Sequence, residues 1–256
     1  MTAQPWIGTS WKMNKTRAEA RQFAEAVKAS RIAENTDARL FLAPPFTAIE
    51  TVAAILAGQR IMVGAQNMHW ADSGAWTGEI SPLMIKDVGA RLVEIGHSER
   101  RRHFGETDET VAKKVEAAIR HGLVALVCIG DTRDEYEAGR IGEALIRQTR
   151  TALSRTDKNH AGQVVIAYEP VWSIGEGGTP ADPAFADRQH ALIKDEALRV
   201  CGVALDVIYG GSVSLENCRA LAAQPHIDGL FIGRAAWRAE GYIEIVRAST
   251  ERLAER

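Results

Sequence analysis

Eight short runs rich in apolar and β-branched residues recur along the chain, each followed by a stretch with helical spacing, and this alternation restricts the possible folds more than any other feature. The runs are Trp6 to Trp11, Arg39 to Ala43, Arg60 to Ala65, Arg91 to Ile95, Leu123 to Ile129, Val164 to Tyr168, Leu205 to Tyr209 and Gly229 to Ile232. Most are nearly continuous in apolar character, the pattern of parallel strands covered on both faces. The intervening helices are predicted at Thr16–Ser30, Phe46–Leu56, Ser81–Val88, around Val111 to Ile119, Arg133–Thr156, Pro183–Val200, Leu215–Ala223 and Gly241–Leu253. Thr107 and Asp108 start the fourth of these, and Gly122 stops it. No linker or change of composition interrupts the series. The expected architecture is therefore α/β, a single (β/α)8 barrel domain spanning residues 1–256. An open doubly wound sheet is the alternative, weakened by the lack of a GxGxxG turn after the first strand.

Charge and composition remove other classes. With 31 Lys and Arg against 33 Asp and Glu, the formal net charge is −2, which leaves no broad cationic face for nucleic acid or anionic lipid. The longest apolar run, Leu123 to Ile129, is far shorter than the ~20 residues of a membrane-spanning helix. Met1 to Trp6 lacks the basic stretch and apolar core of a secretory signal, so a cytoplasmic location is expected. Cys128, Cys201 and Cys218 are widely spaced and odd in number, as reduced thiols would be.

A barrel of this kind places its chemistry at the carboxyl ends of the strands. There the sequence has Ser10-Trp11-Lys12, Gly96-His97-Ser98-Glu99-Arg100, Tyr168-Glu169-Pro170, Tyr209-Gly210-Gly211-Ser212 and Ile232-Gly233-Arg234. An ammonium, an imidazole, a carboxylate and two Gly-containing turns are thus expected on one rim, and such turns after strands seven and eight suit a phosphate group. His97, Glu99 and His103 do not share a helical face at their spacing, so no metal site and no cofactor are expected.

Six segments carry a resemblance to the triosephosphate isomerase family over essentially the whole chain. They are Trp11-Lys12-Met13-Asn14, Gly64-Ala65-Gln66-Asn67, the run Gly74 to Glu79, the run Gly96 to Arg101, Ala167-Tyr168-Glu169-Pro170-Val171-Trp172, and the run Tyr209 to Val213. The resemblance implies proton transfer through an enediolate, with Glu169 as base, His97 as a neutral imidazole working between two oxygens, and Lys12 as the cation facing developing charge. Glu99 would be the partner of Lys12 or an adjacent relay. Ser10, Lys12, Gly175, Ser212, Gly233 and Arg234 would bind a phosphorylated small sugar, under a mobile cover running from Pro170 to Pro180. The loop from Gln66 to Glu79, with Trp70, Trp76 and Thr77, implies a homodimer.

The chain departs from the family at four places. Ser10 replaces an Asn, Glu176-Gly177-Gly178 replaces Thr-Gly-Lys, Arg234 replaces the second Gly after strand eight, and Pro180 replaces an Ala whose N–H would latch the closed cover to Tyr209. Pro has no N–H, which puts that latch in question, and Arg234 is expected to offset Glu176. Together with the runs Met68 to Asp72 and Phe231 to Trp237, these changes resemble the branch that isomerises erythrulose phosphates in erythritol breakdown. The smaller Ser10 would make room for a fourth carbon. The favoured expectation is conversion of L-erythrulose 1-phosphate to D-erythrulose 4-phosphate, with the glycolytic triose phosphate interconversion as the alternative. Barrels that only bind a phosphorylated ligand, or that form an indole or imidazole ring, have no need of this Lys, His and Glu set.

Overall fold

The computed structural model describes residues 4–174 and 178–251. Each inward apolar run forms a strand: β1 (Trp6–Ser10), β2 (Arg39–Ala43), β3 (Ile61–Ala65), β4 (Leu92–Ile95), β5 (Val124–Ile129), β6 (Val164–Tyr168), β7 (Asp206–Tyr209) and β8 (Gly229–Ile232). All pair in parallel in sequence order, and β1 closes on β8 through the register Trp6↔Gly229 to Thr9↔Ile232. The result is the expected (β/α)8 barrel.

Alternate residues of each strand divide the apolar side chains into two cores. Trp6, Phe41, Leu92, Leu126, Cys128, Val165, Ala167, Ile208 and Phe231 fill the barrel interior, while Ile7, Leu40, Val93, Ile95, Val127 and Ile166 face the surrounding helices. Gly8 is required in the interior, because a Cβ there would sit 2.3 Å from the Phe41 ring.

The outer helices are α1 (Arg17–Ala29), α2 (Ile49–Ile55), α3 (Pro82–Asp87), α4 (Ser98–Phe104), α5 (Asp108–Arg120), α6 (Arg133–Glu137), α7 (Ile141–Leu153), α8 (Pro183–Cys201), α9 (Cys218–Ala222) and α10 (Ala239–Thr250). Their starts are written locally. Thr16 and Glu19 form a capping box on α1, Ser81 caps α3, and Asp182 caps α8 with Pro183 in its first turn. The expected helix Arg133–Thr156 is instead two, α6 and α7, because Gly139 takes a left-handed φ of 67° between them. Phe46–Ala48 is a single 3₁₀ turn before α2. Helix α4 was not expected from periodicity, since none of its side chains is fully buried.

Two buried polar networks brace the carboxyl-end loops. Lys114 donates to Asn67 and Glu106 at 2.7 Å each, and Arg100 pairs with Glu106 at 3.0 Å, tying α4 and α5 to the loop after β3. Arg101 donates to the Gly96 carbonyl at 2.7 Å and to Asp108 at 2.5 Å, which anchors the turn after β4.

The three cysteines are buried thiols. No helix of the described residues is long and apolar enough to cross a membrane.

Candidate active site

Lys12 follows β1 in a left-handed conformation, φ 53°, which a non-glycine residue keeps only when its surroundings enforce it. Gln66, just beyond β3, supplies that constraint by donating to the Lys12 carbonyl at 3.0 Å and to the Ala43 carbonyl at 2.9 Å. Lys12 is thereby turned toward α4, where its Nζ donates to Glu99 Oε1 at 2.7 Å.

His97 precedes α4 and acts as its N-cap: its Nδ1 accepts from the Glu99 backbone N–H at 3.2 Å. Nδ1 therefore carries no hydrogen, and the neutral ring holds its proton on Nε2. Burial, followed by the charge of Lys12, holds the ring pKa down at about 4, so it is an uncharged donor near neutrality. Its Nε2 lies 3.4 Å from Glu169 Oε1.

Glu169 follows β6 and is buried, with its Oε2 3.5 Å from the Ser98 backbone N–H. Gly210, after β7, is the floor under its side chain; a Cβ there would lie 2.9 Å from Glu169 Cγ. Burial, and then the nearby charge of Glu94, pushes the Glu169 pKa up to about 8. Glu99 lies below the ordinary carboxylate range: partial burial works against this, but the hydrogen bond and charge of Lys12 outweigh it. Lys12, Glu99, His97 and Glu169 thus form one continuous polar chain, drawn from the segments that follow β1, β4 and β6.

Two residues of this cluster escaped the sequence reading. Glu94 lies inside β4 between Val93 and Ile95, and the alternation that sends those two outward sends its carboxyl into the barrel. Its Oε1 is 3.9 Å from His97 Nε2, it hydrogen-bonds Ser10, and burial raises its pKa to about 7. A carboxylate in the middle of an apolar strand run was the available signal. The second is Cys128, whose thiol burial keeps protonated and which lies against Glu169. Ligand-type atoms of Glu94, Cys128 and Glu169 fall within 4.8 Å of one another, a grouping that a metal ion would fit only with the thiol deprotonated. Ser10 ends β1 and is buried, so the room expected beside it is shared with the Glu94 carboxyl.

The loops after β6, β7 and β8 meet on the other side of the rim. Ser212 donates its backbone N–H to Ser173 Oγ at 3.1 Å, and Ser173 Oγ lies 3.4 Å from the Tyr209 hydroxyl. Trp172 donates to Asp131 at 2.8 Å and packs between Tyr136 and Phe185. One residue beyond Pro180, the Ala181 backbone N–H faces the Tyr209 hydroxyl, the group whose latch Pro180 puts in question. Gly233 precedes a 3₁₀ turn, Arg234–Ala236, with Arg234 at the surface. Gly175 and Glu176, and with them the expected Arg234 and Glu176 pairing, lie outside the described residues.

The sequence profile of triosephosphate isomerase matches residues 5–249. The chain belongs to the triosephosphate isomerase family. Within it, the chain is 54% identical over 256 residues to an L-erythrulose-1-phosphate isomerase of Rhizobium rhizogenes, covering 99% of this chain and 98% of that one. It is 56% identical over 242 residues to the protein of that name from Brucella abortus, covering 94% of each. A crystal structure of triosephosphate isomerase from Bartonella henselae superposes with a TM-score of 0.86 at 34% identity, covering 96% of this chain and 99% of that one. For a family member, the rim described above is the expected place for catalysis.

Proposed function

We propose that this family member isomerises L-erythrulose 1-phosphate to D-erythrulose 4-phosphate. The observation that carries the reading is the 52–56% identity to relatives of that specificity over at least 94% of the chain. The 34% identity to the Bartonella triosephosphate isomerase supports the family but not that enzyme's substrate.

In this mechanism the Glu169 carboxylate removes the proton from the hydroxyl-bearing carbon beside the carbonyl. His97 donates its Nε2 hydrogen to the carbonyl oxygen as charge develops there and takes a proton back from the neighbouring oxygen. Lys12, oriented by Glu99, faces the enediolate oxygens as a fixed positive charge. The same carboxyl then returns the proton to the adjacent carbon. No cofactor is needed, because the electron pair never leaves the carbon–oxygen framework. Gly175, Ser212, Gly233 and the backbone of Arg234 receive the phosphate, and the cover from Pro170 onward excludes water that would promote phosphate elimination.

The enzyme is read as cytoplasmic and homodimeric, without nucleic-acid or membrane partners. Met13 is 97% exposed beside Lys12, and Trp76 is 49% exposed where His69, Trp70 and Trp76 stack at centroid distances of 4.1 to 5.9 Å. A second subunit that covers these groups, with Thr77 against its neighbour's rim, is the arrangement that would remove them from water. Light scattering that found a stable, active monomer would refute it.

The deciding experiment is a comparison of kcat/KM on L-erythrulose 1-phosphate and on dihydroxyacetone phosphate, with solvent deuterium incorporation as the sign of an enediolate. A strong preference for the triose would replace this reading by the triosephosphate isomerase activity of the Bartonella relative.

A further inference from the structure

Glu94 is a charged residue where the fold has no structural need of one. It occupies an inward position of β4, directly above Leu92 of the interior core, and is 2% exposed. Removing a carboxyl from water is costly unless it is fully paired, and here the pairing is incomplete. The carboxyl has the Ser10 hydroxyl as a partner, and its Oε1 stands 3.9 Å from His97 Nε2, beyond hydrogen-bond length. Oε2 is buried with no partner among the described residues.

Its position relative to the reacting groups says what would complete it. The proton donor and the base, His97 Nε2 and Glu169 Oε1, are 3.4 Å apart and bracket the carbons that exchange the carbonyl. The phosphate end of the substrate is assigned to the turns after β7 and β8. In a closed ring of eight strands, β4 stands opposite β8. The substrate carbon farther from the phosphate therefore points toward β4, where the Glu94 carboxyl meets Ser10. A triose phosphate has only hydrogen there; a tetrulose phosphate has a hydroxymethyl group.

We propose that Glu94 and Ser10 form the subsite for the hydroxymethyl group on the carbon from which Glu169 takes the proton, and that Glu94 sets the choice of a four-carbon over a three-carbon ketose phosphate. This rests on the tetrulose reading above. The substrate hydroxyl donates to the Glu94 carboxyl, whereas a triose leaves that carboxyl buried and incompletely paired. Sites built around such a hydrogen bond discriminate strongly against analogues that lack the group.

The test is the ratio of kcat/KM for L-erythrulose 1-phosphate to that for dihydroxyacetone phosphate, in the wild type, Glu94→Leu, Glu94→Gln and Ser10→Asn. We expect the ratio to fall by about 30-fold or more in Glu94→Leu, by less than about 5-fold in Glu94→Gln, whose amide still accepts a hydrogen bond, and by an intermediate factor in Ser10→Asn, which fills the subsite from the β1 side. An unchanged ratio in both Glu94→Leu and Ser10→Asn overturns the subsite, and a parallel loss on both substrates in Glu94→Leu overturns it in favour of a positioning role on His97. If Glu94→Leu does not fold, Ser10→Asn alone decides by the same criterion. A wild type that prefers the triose defeats the tetrulose reading itself, which the variant series then shows separately.

Discussion

His97 Nε2 and Glu169 Oε1 face each other at 3.4 Å, while the other ring nitrogen of His97 caps α4 by accepting from Glu99 at 3.2 Å. One backbone hydrogen bond thus decides which nitrogen carries the proton offered to the reaction. With the ring pKa held down at about 4 by burial and by Lys12, His97 should stay neutral as pH falls through 6.5. Nitrogen NMR of the labelled ring should show a neutral Nε2–H form at pH 5.5; titration near 6.5 would contradict this. In His97→Asn, kcat should fall about 100-fold or more, the scale of losing one aimed donor.

The pH dependence of catalysis follows from the two buried carboxyls. Glu169 works as a base only when ionised, and burial together with Glu94 raises its pKa to about 8. Consequently kcat/KM should rise with pH between 6 and 8 in the free enzyme. Replacing Glu94 by Gln removes the neighbouring negative charge and should move the rising limb to lower pH. A rate flat from pH 6 upward, or a limb that Glu94→Gln leaves in place, would refute the coupling.

Gly210 offers a steric test of the base. Alanine there would bring a Cβ within 2.9 Å of Glu169 Cγ, a contact that only movement of the Glu169 side chain relieves. Gly210→Ala should lower kcat/KM by about 10- to 100-fold, since displacements of about 1 Å have effects of that size. Its melting temperature should change little. A large loss of melting temperature with unimpaired turnover would reverse the interpretation.

The latch on Tyr209 is open to a single-atom test. Tyr209→Phe removes the acceptor used by Ala181 and the contact with Ser173, leaving a buried N–H unpaired. The closed cover should lose about 1–3 kcal/mol. Affinity for inorganic phosphate, followed by Trp172 fluorescence, should weaken about tenfold, which an unchanged affinity would exclude.

Acid stability should depend on His190, fully buried between Tyr168 and Tyr209 with its Nδ1 3.1 Å from the Val207 carbonyl. Burial lowers its pKa to about 3, so the folded state resists protonation. Its contribution is complete above the unfolded value near 6.5 and is lost as pH falls below it. Melting temperature should therefore drop between pH 7 and 5, and His190→Phe should flatten that slope. The Val207 carbonyl keeps a partner in the variant, because the Asp228 N–H also reaches it at 2.9 Å.

The order of strands and helices was legible in the amino-acid sequence because it depends on local periods. An apolar run such as Val164 to Tyr168 marks a strand covered on both faces, and Thr16 with Glu19 marks a helix start, wherever the rest of the chain lies. The presence of Lys12, His97 and Glu169 just beyond three strand ends was legible for the same reason. What no local pattern contains is distance across the ring. Lys12 and Glu99 stand 87 positions apart and meet at 2.7 Å only because strand register and barrel closure bring β1 and β4 to a common rim. The same closure turns Glu94, an unremarked letter in an apolar run, toward Ser10 and His97, and it lets the Ala181 N–H stand in where Pro180 has none. Element type is set by neighbours in the chain. The meeting of side chains is set by how the elements pack, and that was decided by the tertiary structure alone.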